Sequence, residues 1–279
     1  AILTALTGGN PPDFADPFDH VSNQLTGGDL NDRQRGLVSD LSWKVAGDYT
    51  LRLLSGYRNW RNHQYEEDVL FTTRSFLART GKFESTSQSH EFQVISPQQA
   101  LFDSRLDFVA GLYWFQEDFF IGEVLGLGAD FCDLVPAAQR PLCAASGNKS
   151  TATDLAFNQD AENYAAYAQG NMRLSGSTAI VIGARWTRDD KSGSFVQLRN
   201  NPFAAPLRAP ENVKLRKDDD QFTYRIGLNW TPIDEVLVFG SYATGYKSGG
   251  FNSGGSAIAL GQKHLFDPET AENYELGVK

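Results

Sequence analysis

Residues 221 to 230, QFTYRIGLNW, alternate without a break. Phe222, Tyr224, Ile226, Leu228 and Trp230 fall on one side of an extended chain, and Gln221, Thr223, Arg225, Gly227 and Asn229 on the other. The same period of two sets Ile180, Ile182, Ala184 and Trp186 against Gly183, Arg185, Thr187 and Asp189. It sets Tyr49, Leu51, Leu53 and Tyr57 against Thr50, Arg52, Gly56 and Arg58, and Tyr274, Leu276 and Val278 against Asn273, Glu275, Gly277 and Lys279. Helical spacing does not recur, so the pattern predicts an all-β chain whose strands each carry one apolar face.

Connection lengths separate a packed sandwich from a lipid-facing wall, which alternation alone does not. Tight turns are expected at Gly47-Asp48, joining strands 36–46 and 49–60, and at Ser175-Gly176, joining 160–174 and 177–190. Pro232-Ile233-Asp234 joins 218–231 to 235–247, and a slightly longer turn from Pro97 joins 88–96 to 104–118. Between these hairpins lie the stretches 61–87, 119–159, 191–217 and 248–269, rich in Gly, Asn, Pro and charge. Structureless connections beyond about 12–15 residues are uncommon in compact soluble domains. Short turns at one end and long loops at the other are the layout of an antiparallel transmembrane β-barrel. A tilted membrane strand needs about 9–11 residues, which several of these segments reach. Trp43, Trp60, Trp114, Trp186 and Trp230 lie near strand ends, where an interfacial girdle would place them.

Composition removes other classes. The 41% hydrophobic content suffices for an ordered fold. With 25 basic against 34 acidic side chains, the net charge of −9 gives no footprint for a nucleic-acid backbone. The longest apolar run, 108–115, is far below a membrane-spanning helix, and AILTALTGG at the start has no charged signal-peptide head. One stretch, FGSYATGYKSGGFNSGGS at 239–256, comes within a residue of a phosphate-binding loop. Tyr246 separates Gly245 from Lys247, however, and the glycines that follow cannot start the helix such a loop requires. VLVFGSYATGYK reads instead as a strand, with Val236, Val238 and Tyr242 outward and Phe239, Ser241, Ala243 and Lys247 inward.

YATGYKSGGFN followed by FDPETAENYELGVK resembles the barrel of TonB-dependent outer-membrane receptors. ENYAAYAQGNMRLSGSTAIVIGARWTRDDKSG is similar to a hairpin of the same family, as is SQSHEFQVIS with RLDFVAGLYWFQED, so the resemblance runs from about residue 36 to the end. It implies a loop region at 1–35 entering a partial barrel at 36–279, with about nine strands, fewer than closure needs. It further implies a receptor fragment without the N-terminal plug domain, seated in the outer membrane of a Gram-negative bacterium, with its apolar wall on outer-membrane lipid. The function implied is energy-coupled uptake of a scarce nutrient such as a ferric siderophore, cobalamin or an oligosaccharide. Coupling to TonB would run through the missing N-terminal region. In such receptors inward and loop residues meet the ligand, which makes Arg185, Arg225, Tyr246, Lys247, Phe251 and Asn252 candidates. Because the motif recurs across receptors for different ligands, the reading it favours is that these residues line the lumen and serve the barrel.

Cys132 and Cys143 enclose LVPAAQRPL in the longest loop. In an oxidising envelope such a local pair reads as a disulfide before free thiols, lowering the unfolded loop's entropy by roughly 3 kcal/mol. No metal site is expected, since two cysteines without a neighbouring His fall short of a ligand set. No enzyme and no cofactor are expected either: His20, His63, His90 and His264 are scattered, and nucleophile and metal-helix motifs do not occur. The acidic runs Glu66-Glu67-Asp68 and Asp218-Asp219-Asp220 read as solvated charge on a loop and at a strand rim. Two rival readings stay open, a soluble carbohydrate-binding β-sandwich and a passive porin-like barrel.

Overall fold

A computed structural model describes residues 25, 27–98, 100–254, 261 and 263–279. Nine strands form one antiparallel sheet. They are β1 (Gly28–Lys44), β2 (Thr50–Glu66), β3 (Leu77–Ile95), β4 (Leu106–Leu127), β5 (Thr153–Arg173), β6 (Thr178–Arg199), β7 (Glu211–Ile233), β8 (Val236–Lys247) and, after a two-residue pair β9 (Gly250–Phe251) and β10 (Leu265–Phe266), β11 (Glu269–Val278). Each strand pairs with the one before it, with β11 beside β8 and with β1 and β11 at the two edges. A sandwich would divide these strands between two packed sheets; here one continuous meander carries them all, as a barrel wall does.

The turns lie where the sequence places them. Gly47 takes φ +74° in the β1–β2 turn, a left-handed value that costs glycine nothing, and Val45 and Tyr49 close the hairpin at 2.9 Å. The far ends differ from expectation. β1 begins at Gly28, within the expected loop region 1–35, of which residues 1–24 and 26 lie outside the described residues. The connections expected at 61–87, 119–159 and 191–217 contract to 67–76, 128–152 and 200–210 as the strands continue. β4 reaches 22 residues and β7 23, about twice the 9–11 that a bilayer needs. The wall therefore extends well past the membrane on the long-loop side.

Register places the large apolar residues on one face. Trp186 faces Phe222, Ile182 faces Ile226 and Thr178 faces Trp230, and the rows continue through Tyr242 to Tyr274 and through Gly240 to Leu276. Exposure on that face is high, 50% for Ile226 and 83% for Leu276, as a lipid-facing wall requires in the absence of its lipid. Thr178 and Trp186 are eight residues apart on β6, a path of roughly 27 Å at about 3.4 Å per residue, or about 20 Å along the membrane normal at a tilt near 40°. Trp230 and Trp43 border this band at the turn end, and Trp114, Tyr164, Trp186 and Phe222 border it towards the loops. Trp60 does not belong to that girdle. It faces Gln34 and Ser85 on the opposite side of the sheet and donates Nε1–H to Asp32 at 2.7 Å.

Above the upper aromatic row the polarity of the two faces reverses. Leu125, Leu127, Leu155, Phe157, Phe195 and Leu215 all occupy the inward positions and are buried. One cluster joins Phe76, Leu127, Phe131, Cys143 and Ala204, so that the connections 67–76, 128–152 and 200–210 pack on one another over the inner face. A second joins Leu155, Phe157, Phe195, Leu215 and Phe251. Each such side chain, fully buried, contributes about 1.5–3 kcal/mol. Connection 128–152 carries a short helix, α1 (Arg140–Ala145), and the Cys132–Cys143 disulfide, with Cα atoms 5.7 Å apart.

Candidate functional site

The inner face at membrane level is polar and aromatic. Tyr113 on β4, Tyr167 on β5 and Arg185 on β6 are brought together by inward register positions. The Arg185 guanidinium carbon lies 5.5 Å from the Tyr113 ring centre and 5.7 Å from that of Tyr167, within cation–π range of both. Its Nε–H donates to Thr187 Oγ1 at 3.1 Å, which leaves the terminal fork of donors directed away from that bond.

Tyr167 is held on its other side. Its hydroxyl donates to the Glu91 carboxylate and accepts from Gln93 Nε2 at 2.9 Å, and Gln93 also donates to Glu91 Oε1 at 2.9 Å. Gly111, directly opposite Tyr167, makes room for the ring, since a Cβ there would meet Tyr167 Cζ at 2.6 Å. Arg225 lies one strand further along, opposite Gly183 and Ala243, with an exposed side chain. Together with Arg185 it borders a shallow concavity of about 330 Å³. Arg52, by contrast, is committed to Asp40 by two bonds of 2.9 and 2.6 Å.

The glycine-rich motif has a different placement. Lys191 Nζ donates to Ser248 Oγ and to the Gly249 carbonyl, both at 2.7 Å, and Gly249 N–H donates to Asp219 Oδ2 at 3.1 Å. A Cβ on Gly249 would meet the Phe266 carbonyl oxygen at 2.6 Å and Lys217 Cε at 2.0 Å, so this backbone approaches the wall as closely as only glycine permits. Tyr246 hydroxyl donates to Asp189 Oδ2 at 3.3 Å. The β7–β8 ladder stops at Arg225 and Ala243, while β8 stays paired with β11 through Lys247.

Lys247 pairs with Glu269 at 3.3 Å, both largely exposed. Phe251 is 8% exposed and packs with Leu155, Phe157 and Phe195, so its ring serves the interior of the loop-side wall. Asn252 binds through its backbone: its N–H donates to the His264 carbonyl at 2.6 Å and its carbonyl meets His264 Nδ1 at 3.1 Å. His264 is itself buried, with Nε2 2.7 Å from Glu211 Oε2. Of the six candidates, Arg185 and Arg225 share the lumen wall, Tyr246, Phe251 and Asn252 fasten the end of β8 and the chain after it, and Lys247 pairs with Glu269.

Sequence reasoning missed the partners of Arg185. Tyr113 and Tyr167 fall inside alternating segments already recognised, and following the inward parity across the register would have found them. The acidic runs also differ from expectation. Asp68 is buried, accepting Thr72 N–H at 3.0 Å and Leu77 N–H at 3.1 Å, because the connection 67–76 folds around its carboxylate. Asp219 holds Gly249 and pairs with Lys217 at 3.3 Å in place of facing solvent.

A family model described as TonB dependent receptor-like, beta-barrel, matches residues 3–279. A segment of 126 residues is 25% identical to the probable TonB-dependent siderophore receptor PiuA of Acinetobacter baumannii, covering 44% of this chain and 16% of that protein. Among solved structures, the ferric yersiniabactin uptake receptor FyuA of Yersinia pestis superposes with a TM-score of 0.68 at 18% identity, over 89% of this chain and 33% of that one. The PiuA structure superposes with a TM-score of 0.63 at 14% identity, over 89% of this chain and 38% of that one. This chain thus spans a third or so of the receptors on which it superposes, and the likeness is one of fold. With the match running over nearly its whole length, the chain belongs to the TonB-dependent receptor β-barrel family and is an outer-membrane protein.

Proposed function

We propose that this stretch of wall belongs to a receptor that takes up a ferric siderophore, with Arg185 as a ligand contact. The observation carrying the reading is the guanidinium held over Tyr113 and Tyr167 on the lumen face, in a chain 25% identical over 126 residues to a probable siderophore receptor. A chelator that wraps Fe³⁺ in deprotonated oxygens presents acceptors, and the guanidinium offers a planar fork of donors to such a surface. Arg225, exposed on the neighbouring strand, supplies a second cation along the same path. TonB would supply the energy through parts of the receptor outside this chain, and the receptors it resembles are transport proteins, which makes catalysis an unneeded assumption.

The test is uptake of ⁵⁵Fe-labelled siderophores by iron-starved cells that carry the full-length receptor as their sole route. Arg185→Ala removes charge-assisted hydrogen bonds worth about 1.5–3 kcal/mol and should weaken binding by about 10- to 100-fold. Receptor abundance in the outer membrane should not change. Full uptake by the variant removes Arg185 from the path. Failure of every ferric siderophore, with uptake of cobalamin or an oligosaccharide instead, overturns the ligand class.

A further inference from the structure

We propose that the outward surface of β1–β3, just above the lipid-facing band, binds the phosphate headgroups of outer-leaflet lipid. Outward positions there bring cations together across three strands. Arg33 lies directly opposite Arg61, and His63 lies opposite both Asn31 and Lys82. Arg35 follows two residues above Leu37, which faces Tyr57 at the upper end of the apolar run. Arg33, Arg35, Arg61 and His63 are all exposed, and Tyr57 and Tyr65 flank them with exposures of 48% and 44%.

Among the described residues, carboxylates do not balance this charge. Glu84 serves Lys82 at 2.8 Å and Arg61 at 3.8 Å, and Asp29 stands at the far end opposite Tyr65. Arg33 Nε donates to the neutral Asn31 amide at 3.2 Å. Like charges directly opposite one another destabilise an antiparallel pair, so the Arg33–Arg61 juxtaposition calls for an external anion.

The sector is local. At the same height β5–β7 present carboxylates outward, with Glu162 opposite Asp190, Asp190 opposite Asp218, and Arg188 and Arg216 among them. A general surplus of cations above the band would have no such counterpart. Height selects the ligand: the guanidinium groups sit two to four residues above the last apolar row, where phosphates of the outer leaflet lie and where clustered Lys and Arg side chains bind anionic headgroups.

The experiment is native mass spectrometry of the full-length receptor in detergent, titrated with lipid A bearing both phosphates and with the same lipid dephosphorylated. The triple variant R33Q/R35Q/R61Q should lose about fivefold in affinity per guanidinium, about a hundredfold in all, for the phosphorylated lipid. R188Q/R216Q in the acidic sector should bind as the parent does. Heat-modifiable migration establishes that each variant is folded, and where the triple variant is not, the single Arg35→Gln should still show its fivefold loss. Parent-like affinity in a folded triple variant overturns the proposal, as does equal binding of the dephosphorylated lipid.

Discussion

The turn-side and loop-side halves of the same strands use alternation in opposite senses. Near the turns Ile226, Leu228 and Leu276 point away from the lumen and stay about half exposed or more among the described residues. Towards the loops Leu155, Phe157 and Phe195 point inward and pack with Leu215 and Phe251 as a small core, beside a second cluster in which the connections pack on one another. One half has lipid as its apolar phase and the other supplies its own. A long membrane strand can therefore carry two environments in sequence, with the exchange marked by the row Trp114, Tyr164, Trp186 and Phe222.

The largest effect should come from the self-covered half. Phe195 is fully buried, 4.6 Å centre to centre from the His264 ring, and Phe195→Ala should cost about 3–5 kcal/mol through lost transfer energy and the cavity left behind. Ile226→Ala should cost far less, because acyl chains fill the space the side chain vacates. Urea titration of the full-length receptor in lipid vesicles compares the two directly. Equal losses would mean that both halves share one kind of core.

A charge sharpens the contrast from the other side. Ile226 lies at the middle of the run from Phe222 to Trp230, and Ile226→Arg should cost about 2–4 kcal/mol, the value for arginine at the bilayer midplane of a barrel. Ser241→Arg, on the inward face opposite Gly227 and Glu275, should be tolerated. Folding yield into vesicles measures both, and an indifferent Ile226→Arg would refute the lipid-facing assignment of that row.

These two halves were unequally legible in the sequence. The lipid-facing half announces itself, because bulky residues such as Phe222, Ile226 and Trp230 alternate with polar or small ones and tight turns punctuate them. Above the aromatic row the outward residues become Asp190, Ser192, Ser194, Asp218 and Arg216, and charge density then reads as loop. The alternation persists, with Phe157 and Leu155 or Phe195 and Leu215 on the other phase, so the strands were detectable once a change of face was allowed. The site was half legible for a related reason. Arg185 was visible as an inward cation, whereas its cradle of Tyr113 and Tyr167 depends on register across three strands. The role of YKSGG depends on Lys191 and Asp219, contacts whose sequence separation no local pattern encodes.

The smallest effect tests how the loop-side core is fastened at its rim. Arg74 donates to Asp130 at 2.9 Å and also to Asp133, tying the connection after β2 to the one after β4. The Arg74 hydrogen bond, aided by Ser75 N–H at 3.0 Å, holds the Asp130 carboxyl below its ordinary range despite the opposing effect of burial. A carboxyl depressed in the folded state stabilises above the unfolded pKa near 4 and loses that contribution as pH falls through its own lower value. The pair is largely solvated, so it contributes below about 1 kcal/mol. Amide exchange of residues 128–135, followed from pH 6 down through the acidic range, should quicken relative to the turn-side strands as Asp130 takes up its proton, after correction for intrinsic exchange. In Arg74→Gln that acid-dependent step should flatten while protection at pH 6 falls slightly. If the step persists in the variant, the rim is held by the apolar cluster beneath it, and the two halves differ in their cores alone.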